Sequence, residues 1–350
     1  MRLAILFAFA FTLATAVSAQ NEGKNASIDP EHIFFTRPVL NPVTEVVEPV
    51  QGSDFPNHLV YVETRDGLYA PIGLRFPNGQ GPFPLVVFAH MNGGMGARWI
   101  REWTENGSWT LEQFLRAGYA VAWMRYRAEV NNAYGPKLAE SAREGRQLFN
   151  RGLLEYEDAI SIVEYLKSRP EIDPDRVGYL GLSHGGEMLM KIASEYHGLR
   201  CGIASEPASI EYLARRPQPR NPNAPPIPET RKVYTEAMLQ EDVQRLRGQI
   251  DMELAIERIR AIDTPMRIQG RDRDHNQPVF RLNYELLKEA GKQVEWKSYD
   301  HDEHGFIFVR RSRKGVYAPD PIQVQAVHDS IAYFDRFMKP QNARADEPRN

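Results

Sequence analysis

A serine hydroxyl, an imidazole and a carboxylate held in line can break an acyl bond. The imidazole takes the serine proton, and the carboxylate fixes and charge-balances the imidazole. This chain offers each residue type in a setting suited to that work. The serine is Ser183, within Gly181-Leu182-Ser183-His184-Gly185-Gly186. An apolar VGYL precedes the motif and an amphipathic run follows it. The stretch therefore reads as strand, tight turn and helix, the setting in which G-x-S-x-G has mechanical meaning. Glycines two residues either side of the serine remove side chains that would collide across so sharp a turn, and Gly186 lets the helix begin close against the strand.

The partners come from later loops, acid first and histidine last. One strand leads into Gly270-Arg271-Asp272-Arg273-Asp274-His275, and the next into Asp300-His301-Asp302-Glu303-His304-Gly305-Phe306. His304 is the expected base, with Gly305 freeing the backbone just past the ring. His301, three residues earlier, competes with it. Asp274, ahead of Gln277-Pro278, is the expected acid and Asp272 the alternative; whichever is unused should cap or pair with a nearby arginine. His301, Asp302 and His304 lack a third convergent ligand for a metal, so the reading includes no metal and no cofactor. The oxyanion needs two backbone donors. One is the amide of His184, directly after the nucleophile; the other is Met91, with Asn92 as alternative, in the glycine-rich loop after Leu85–His90.

These residues require elements to position them. His58–Glu63 and Leu68–Arg75 read as paired strands, Leu85–His90, Tyr119–Met124 and Cys201–Ser205 as buried strands, and Met266–Gln269 and Val294–Tyr299 as later ones. Helical patterns cover Ser108–Ala117, Leu153–Ser168, Val233–Arg260, Val279–Ala290 and Ile322–Phe337. Strands alternating with helices imply a mostly parallel sheet covered on both faces, with ligands beyond the carboxyl ends of the strands. Residues 206–264 interrupt the alternation and include a proline-dense run, Arg216–Pro228, so they are expected to form a lid rather than an outer helical pair.

The chain has 350 residues, 42% of them hydrophobic and 25% charged, enough for one large catalytic domain over 58–338. A formal net charge of −3, with the two signs interspersed, gives no polyanion-binding surface, and no nucleic-acid partner is expected. Residues 1–19 combine Arg2, an apolar run and Val17-Ser18-Ala19 before Gln20, as in a secretory signal peptide. The mature protein is therefore expected to be exported, periplasmic or secreted, with no stable membrane insertion after cleavage. Residues 20–57 should form an extended segment and 339–350 a frayed tail. Cys201 is the sole cysteine, so no intramolecular disulfide forms, and LRCGIAS marks it as a core residue. The oligomeric state has no signal here.

Beyond these readings, the run from Glu157-Asp158 through PEIDPDRVGYLGLSHGG, then GRDRDHNQP and EWKSYDHDEHGF, resembles the catalytic domain of the prolyl oligopeptidase family. It is also similar to dienelactone-hydrolase-like esterases of the α/β-hydrolase superfamily. The likeness runs from about Leu68 to Phe337. It implies an α/β-hydrolase fold with Ser183 as nucleophile, Asp274 as acid and His304, in His-Gly-Phe, as base. Three departures stand out: Gln269-Gly270 precedes the acid where the family has His-Gly, with one extra residue before Asp274; His90-Met91-Asn92 replaces the start of its His-Gly-Gly oxyanion loop; and Arg125-Tyr126-Arg127-Ala128 replaces its D-x-R-G. With no β-propeller ahead of the domain to select peptides, a carboxylic ester is the expected substrate and a short peptide the close second. An inactive binding module on the same fold is the reading from a different class.

Overall fold

The computed structural model describes residues 45–64, 69–89, 96–124, 152–209, 212–216 and 233–339. Residues 1–19, expected to be a signal segment, the loop holding Met91, residues 125–127, most of the proline-dense run and all but the start of the tail lie outside the described residues.

The strand β4 (Phe83–Ala89) shows how the sheet is built. Leu85, Val87 and Ala89 join one hydrophobic cluster, while Val86 and Phe88 join another. Side chains alternate across a strand, so a continuous apolar run must be covered on both faces. Parallel to β4 on one side lies β5 (Ala120–Met124), and on the other β6 (Ile172–Leu182). Beyond β6 come β7 (Cys201–Ser205), β8 (Met266–Arg271) and β9 (Val294–Tyr299), all parallel. An antiparallel ribbon of β1 (Glu45–Glu48), β2 (Asn57–Glu63) and β3 (Tyr69–Arg75) completes the other edge against β5. The nine described strands thus run in the order β1-β2-β3-β5-β4-β6-β7-β8-β9. The ordering puts the serine strand β6 near the middle, with the strands that carry the acid and the histidine successively outward from β7.

On one face lie α1 (Gly96–Asn106), α2 (Ser108–Arg116) and α8 (Pro321–Met338), packed on Phe88, Trp123, Leu180 and Ile203. On the other lie α3 (Gly152–Lys167), α4 (His184–Glu195), α5 (Glu236–Arg247), α6 (Met252–Arg260) and α7 (Gln277–Glu289). Among the described residues, no helix is long and apolar enough to cross a membrane.

The structure differs from the sequence reading at four places. β1 gives regular structure to part of the segment expected to be merely extended, because Glu45 to Glu48 pair with Val60 to Asn57. Helix α1 was not anticipated. β6 begins at Ile172, inside the expected turn, because the strand continues past Pro174 at the sheet's end. The helical stretch Val233–Arg260 is broken in two, since Thr235 and Asp251 each cap a new helix by accepting from Met238 N and Leu254 N. Helix α5 packs chiefly on α7 and buries Leu239 and Val243 in the core, and α6 buries Ala255 and Ile259 there. The described part of the insertion is therefore an outer helical pair. The lid expectation rests on 217–232, outside the described residues.

Candidate active site

From Val177 to Met190 every residue is buried except Ser183. That exception follows from the turn. Ser183 has φ 55° and ψ −113°, a region that costs a side-chain-bearing residue about 1–3 kcal/mol. The surroundings hold it there. Ser183 N donates to Ser205 O at 2.8 Å, and Ser183 O accepts from Gly186 N and Ala208 N, both at 3.0 Å. A Cβ at Gly181 would lie 2.0 Å from the Gly185 carbonyl oxygen, so only glycine lets the strand and helix approach this closely. At Gly186 a Cβ would be 3.1 Å from Pro207. His184 opens α4, where the first amides lack acceptors within the helix and the helix dipole favours negative charge. Its ring is buried, with Nδ1 3.7 Å from Glu187 Oε2.

Asp274 lies in the turn between β8 and α7 and is fully buried. Asp274 Oδ1 accepts from Asn276 N at 2.8 Å, and Oδ2 accepts from Arg271 Nε at 3.0 Å. His304 Nδ1 stands 3.2 Å from Asp274 Oδ2. A carboxylate only accepts, so the proton sits on Nδ1 and leaves Nε2 as the basic nitrogen. Burial alone would raise the Asp274 pKa; the His304 hydrogen bond, the Asn276 amide and the Arg271 charge outweigh it and hold the carboxyl down at about 2.

The alternatives are engaged elsewhere. Asp272 Oδ1 accepts from Ser298 Oγ, so the arginine expected beside the unused acid is on Asp274 instead. His301 Nε2 lies 2.9 Å from Asp320 Oδ2, its Nδ1 accepts from Glu303 N at 2.9 Å, and its ring stacks on Phe306. Asp302 pairs with Arg273. The His304 loop is anchored from below: Thr110 Oγ1 donates to Ile307 O at 2.9 Å, Gln323 Nε2 donates to Phe306 O at 3.0 Å, and Phe308 packs edge-on to Trp123.

The sequence reading missed Glu206 and Arg271. Glu206 follows β7 directly and is fully buried. Its Oε1 accepts from Arg271 Nε at 2.9 Å, its Oε2 accepts from Gly305 N at 2.6 Å, and Oε1 lies 3.4 Å from His304 Nδ1. The available signal was an acidic residue directly after a five-residue apolar strand. Burial alone would lower the His304 pKa; the Asp274 hydrogen bond, the close Glu206 carboxylate and both negative charges outweigh it and raise it to about 9. Glu206, Asp274 and His304 bring three donor atoms within 4.8 Å of one another. The Arg271 guanidinium already donates to both carboxylates, so a fixed cation stands where a metal would need those oxygens.

Backbone contacts join the parts. Leu182 pairs with Ser205 and Ser205 with Gln269 at adjacent strand ends. Glu206 N then donates to Gln269 O at 2.7 Å, and its side chain holds Gly305. Serine, acid and histidine thus rise from the same carboxyl edge of the sheet. A cleft of about 730 Å³ lies beside His304, bordered by Glu303, Phe308, Val309, Arg310 and Gln323.

The sheet order, with the strained serine turn and the histidine–carboxylate pair at its carboxyl edge, is that of the α/β-hydrolase fold. Comparison with known proteins agrees: residues 105–210 match the model of the prolyl oligopeptidase family. A putative hydrolase, YtaP of Bacillus subtilis, is 28% identical over 117 residues, 31% of this chain and 38% of that protein. The acylaminoacyl peptidase of Pyrococcus horikoshii superposes with a TM-score of 0.54 at 18% identity, over 83% of this chain and 43% of the peptidase. EstE1, a thermostable carboxylesterase from a metagenomic library, superposes with a TM-score of 0.51 at 16% identity, over 84% of this chain and 92% of the esterase. The chain thus matches less than half the length of both YtaP and the peptidase.

Proposed function

We propose that this chain is an exported serine hydrolase that cleaves carboxylic esters through an acyl-enzyme. The observation that carries the reading is His304 Nδ1 held on buried Asp274, at the same sheet edge as a serine in a strained turn. In the first half-reaction His304 Nε2 takes the Ser183 proton as Oγ bonds the carbonyl carbon. The tetrahedral oxyanion is met by the His184 amide and, in this reading, the Met91 amide. Collapse breaks the bond to the leaving alkoxide, which receives the proton from His304. Water then repeats the sequence, with its proton passing through His304 and returning to Ser183 Oγ as the acid departs.

An ester is preferred because an alkoxide leaves more readily than the unprotonated nitrogen of an amide. The match to EstE1 over nearly its whole length supports the same choice. A peptidase acting on short peptides is the second reading, favoured by the prolyl oligopeptidase match across the serine turn. Export rests on residues 1–19. Labelling with a fluorophosphonate probe tests the class: wild type should label and Ser183→Ala should not, while folded wild type that stays unlabelled points to a binding module. Rates on matched ester and anilide substrates test the order, and a preference for the anilide would reverse it.

A further inference from the structure

Glu206 is held in a conformation its residue type does not favour. Its φ is +47°, in the left-handed region that a β-carbon disfavours. Its side chain is fully buried, and burying an ionised carboxylate is costly unless it is fully partnered. It sits where the chain leaves β7 and folds over the serine turn, with Ala208 N donating to Ser183 O. A strained, buried acid persists only where its contacts outweigh both costs.

Those contacts lead to the histidine. Arg271 Nε is shared between Glu206 Oε1 at 2.9 Å and Asp274 Oδ2 at 3.0 Å. Gly305 N, the amide just after the base, donates to Glu206 Oε2 at 2.6 Å. His304 Nδ1 therefore faces two carboxylates, Asp274 at 3.2 Å and Glu206 at 3.4 Å, with one guanidinium between them. Two buried anions against one buried cation leave a net negative charge directly behind the imidazole, and protonation of His304 neutralises it. The neighbouring groups do not supply that charge: Asp302 is committed to Arg273, His301 to Asp320, Glu303 is exposed, and the exposed His275 ring reaches only the other Asp274 oxygen, Oδ1, at 3.5 Å.

We propose that Glu206 is a positioning residue for the base, a second carboxylate that shares with Asp274 the orientation and charge stabilisation of the His304 imidazolium. It rests on the Ser183–His304–Asp274 reading and extends it. Glu206 grips the base from two sides, through the Gly305 amide and through its approach to Nδ1. It also stands ready as acceptor for Nδ1–H if Asp274 is lost.

Two measurements test it. The first is the His304 titration, followed by NMR of the imidazole in Ser183→Ala protein and in the same protein carrying Glu206→Gln. Removing the negative charge should lower the His304 pKa by roughly one unit or more. The acid limb of kcat/KM on an activated ester, measured with Ser183 intact, should move down with it, and Glu206→Asp should recover most of the shift. A midpoint does not depend on how much of a variant is folded. The second is a double-mutant cycle. Asp274→Asn should keep more activity than the roughly 10⁴-fold loss seen where a triad acid has no substitute, and adding Glu206→Gln should cost a further tenfold or more. An unmoved His304 titration in Glu206→Gln, or Asp274→Asn as inactive as the double variant, would overturn the proposal. The NMR titration needs no turnover. A chain without hydrolytic activity therefore fails the proposed function, while an active chain with an unmoved His304 fails only the role given to Glu206.

Discussion

At the residue scale the acid loop offers two aspartates two positions apart, and hydrogen bonding separates them. Asp274 meets His304 Nδ1 at 3.2 Å, whereas Asp272 accepts from Ser298 on β9. Asp274→Asn should therefore lower kcat by about 10²-fold or more, and Asp272→Asn by less than about threefold, in steady-state assays with an activated ester. Equal losses would show that the loop tolerates neither change. The raised pKa of His304 has a consequence of definite sign. The base must be neutral to accept the serine proton, so kcat/KM should rise with pH through an acid limb whose midpoint lies above the ordinary histidine value, toward about 9. A pH–rate profile reads this directly, and a limb near 6.5 would contradict the electrostatics of the two carboxylates. The sequence favoured Asp274 but left Asp272 open, because the hydrogen bond that separates them is made to a histidine on another loop; the elevated limb was not legible, because it depends on Glu206 and Arg271 arriving from separate strands.

At the element scale the serine turn is a junction where three backbones nearly touch. A Cβ at Gly181 would overlap the Gly185 carbonyl oxygen at 2.0 Å; the backbone fixes the Cβ position and the oxygen is itself backbone, so no rotamer relieves the contact. Gly181→Ala should displace Ser183 and abolish fluorophosphonate labelling even in soluble protein; intact labelling would mean that the turn can open without losing the nucleophile. This much was readable from spacing, since glycines flanking a serine between a strand and a helix have one steric reason to be there. The element boundaries were less so. The single helical stretch before β8 is two helices because Asp251 restarts the chain with its own cap, and β1 forms because β2 leaves an open edge for Glu45–Glu48.

At the scale of the whole molecule, the histidine loop is held by the core on the far side of the sheet. Trp123 on β5 stacks with Trp103 of α1 and Phe88 of β4, and meets Phe308 of the histidine loop at 5.1 Å. Trp123→Ala should cost about 3–5 kcal/mol in chemical denaturation and should also lower kcat, because the cavity would lie under Phe308. An unchanged kcat in the folded variant would show that the Thr110 and Gln323 contacts suffice to hold the loop. The sequence by itself determined the alternation of strands and helices, the serine turn and the order of acid before histidine, because these follow from local periodicity and steric spacing. Only the tertiary structure decided which aspartate faces His304, that the described insertion helices pack as an outer pair, and that Glu206 joins the site. Those outcomes come from strand order and register, which bring the ends of β6, β7 and β8 side by side from positions far apart in the chain.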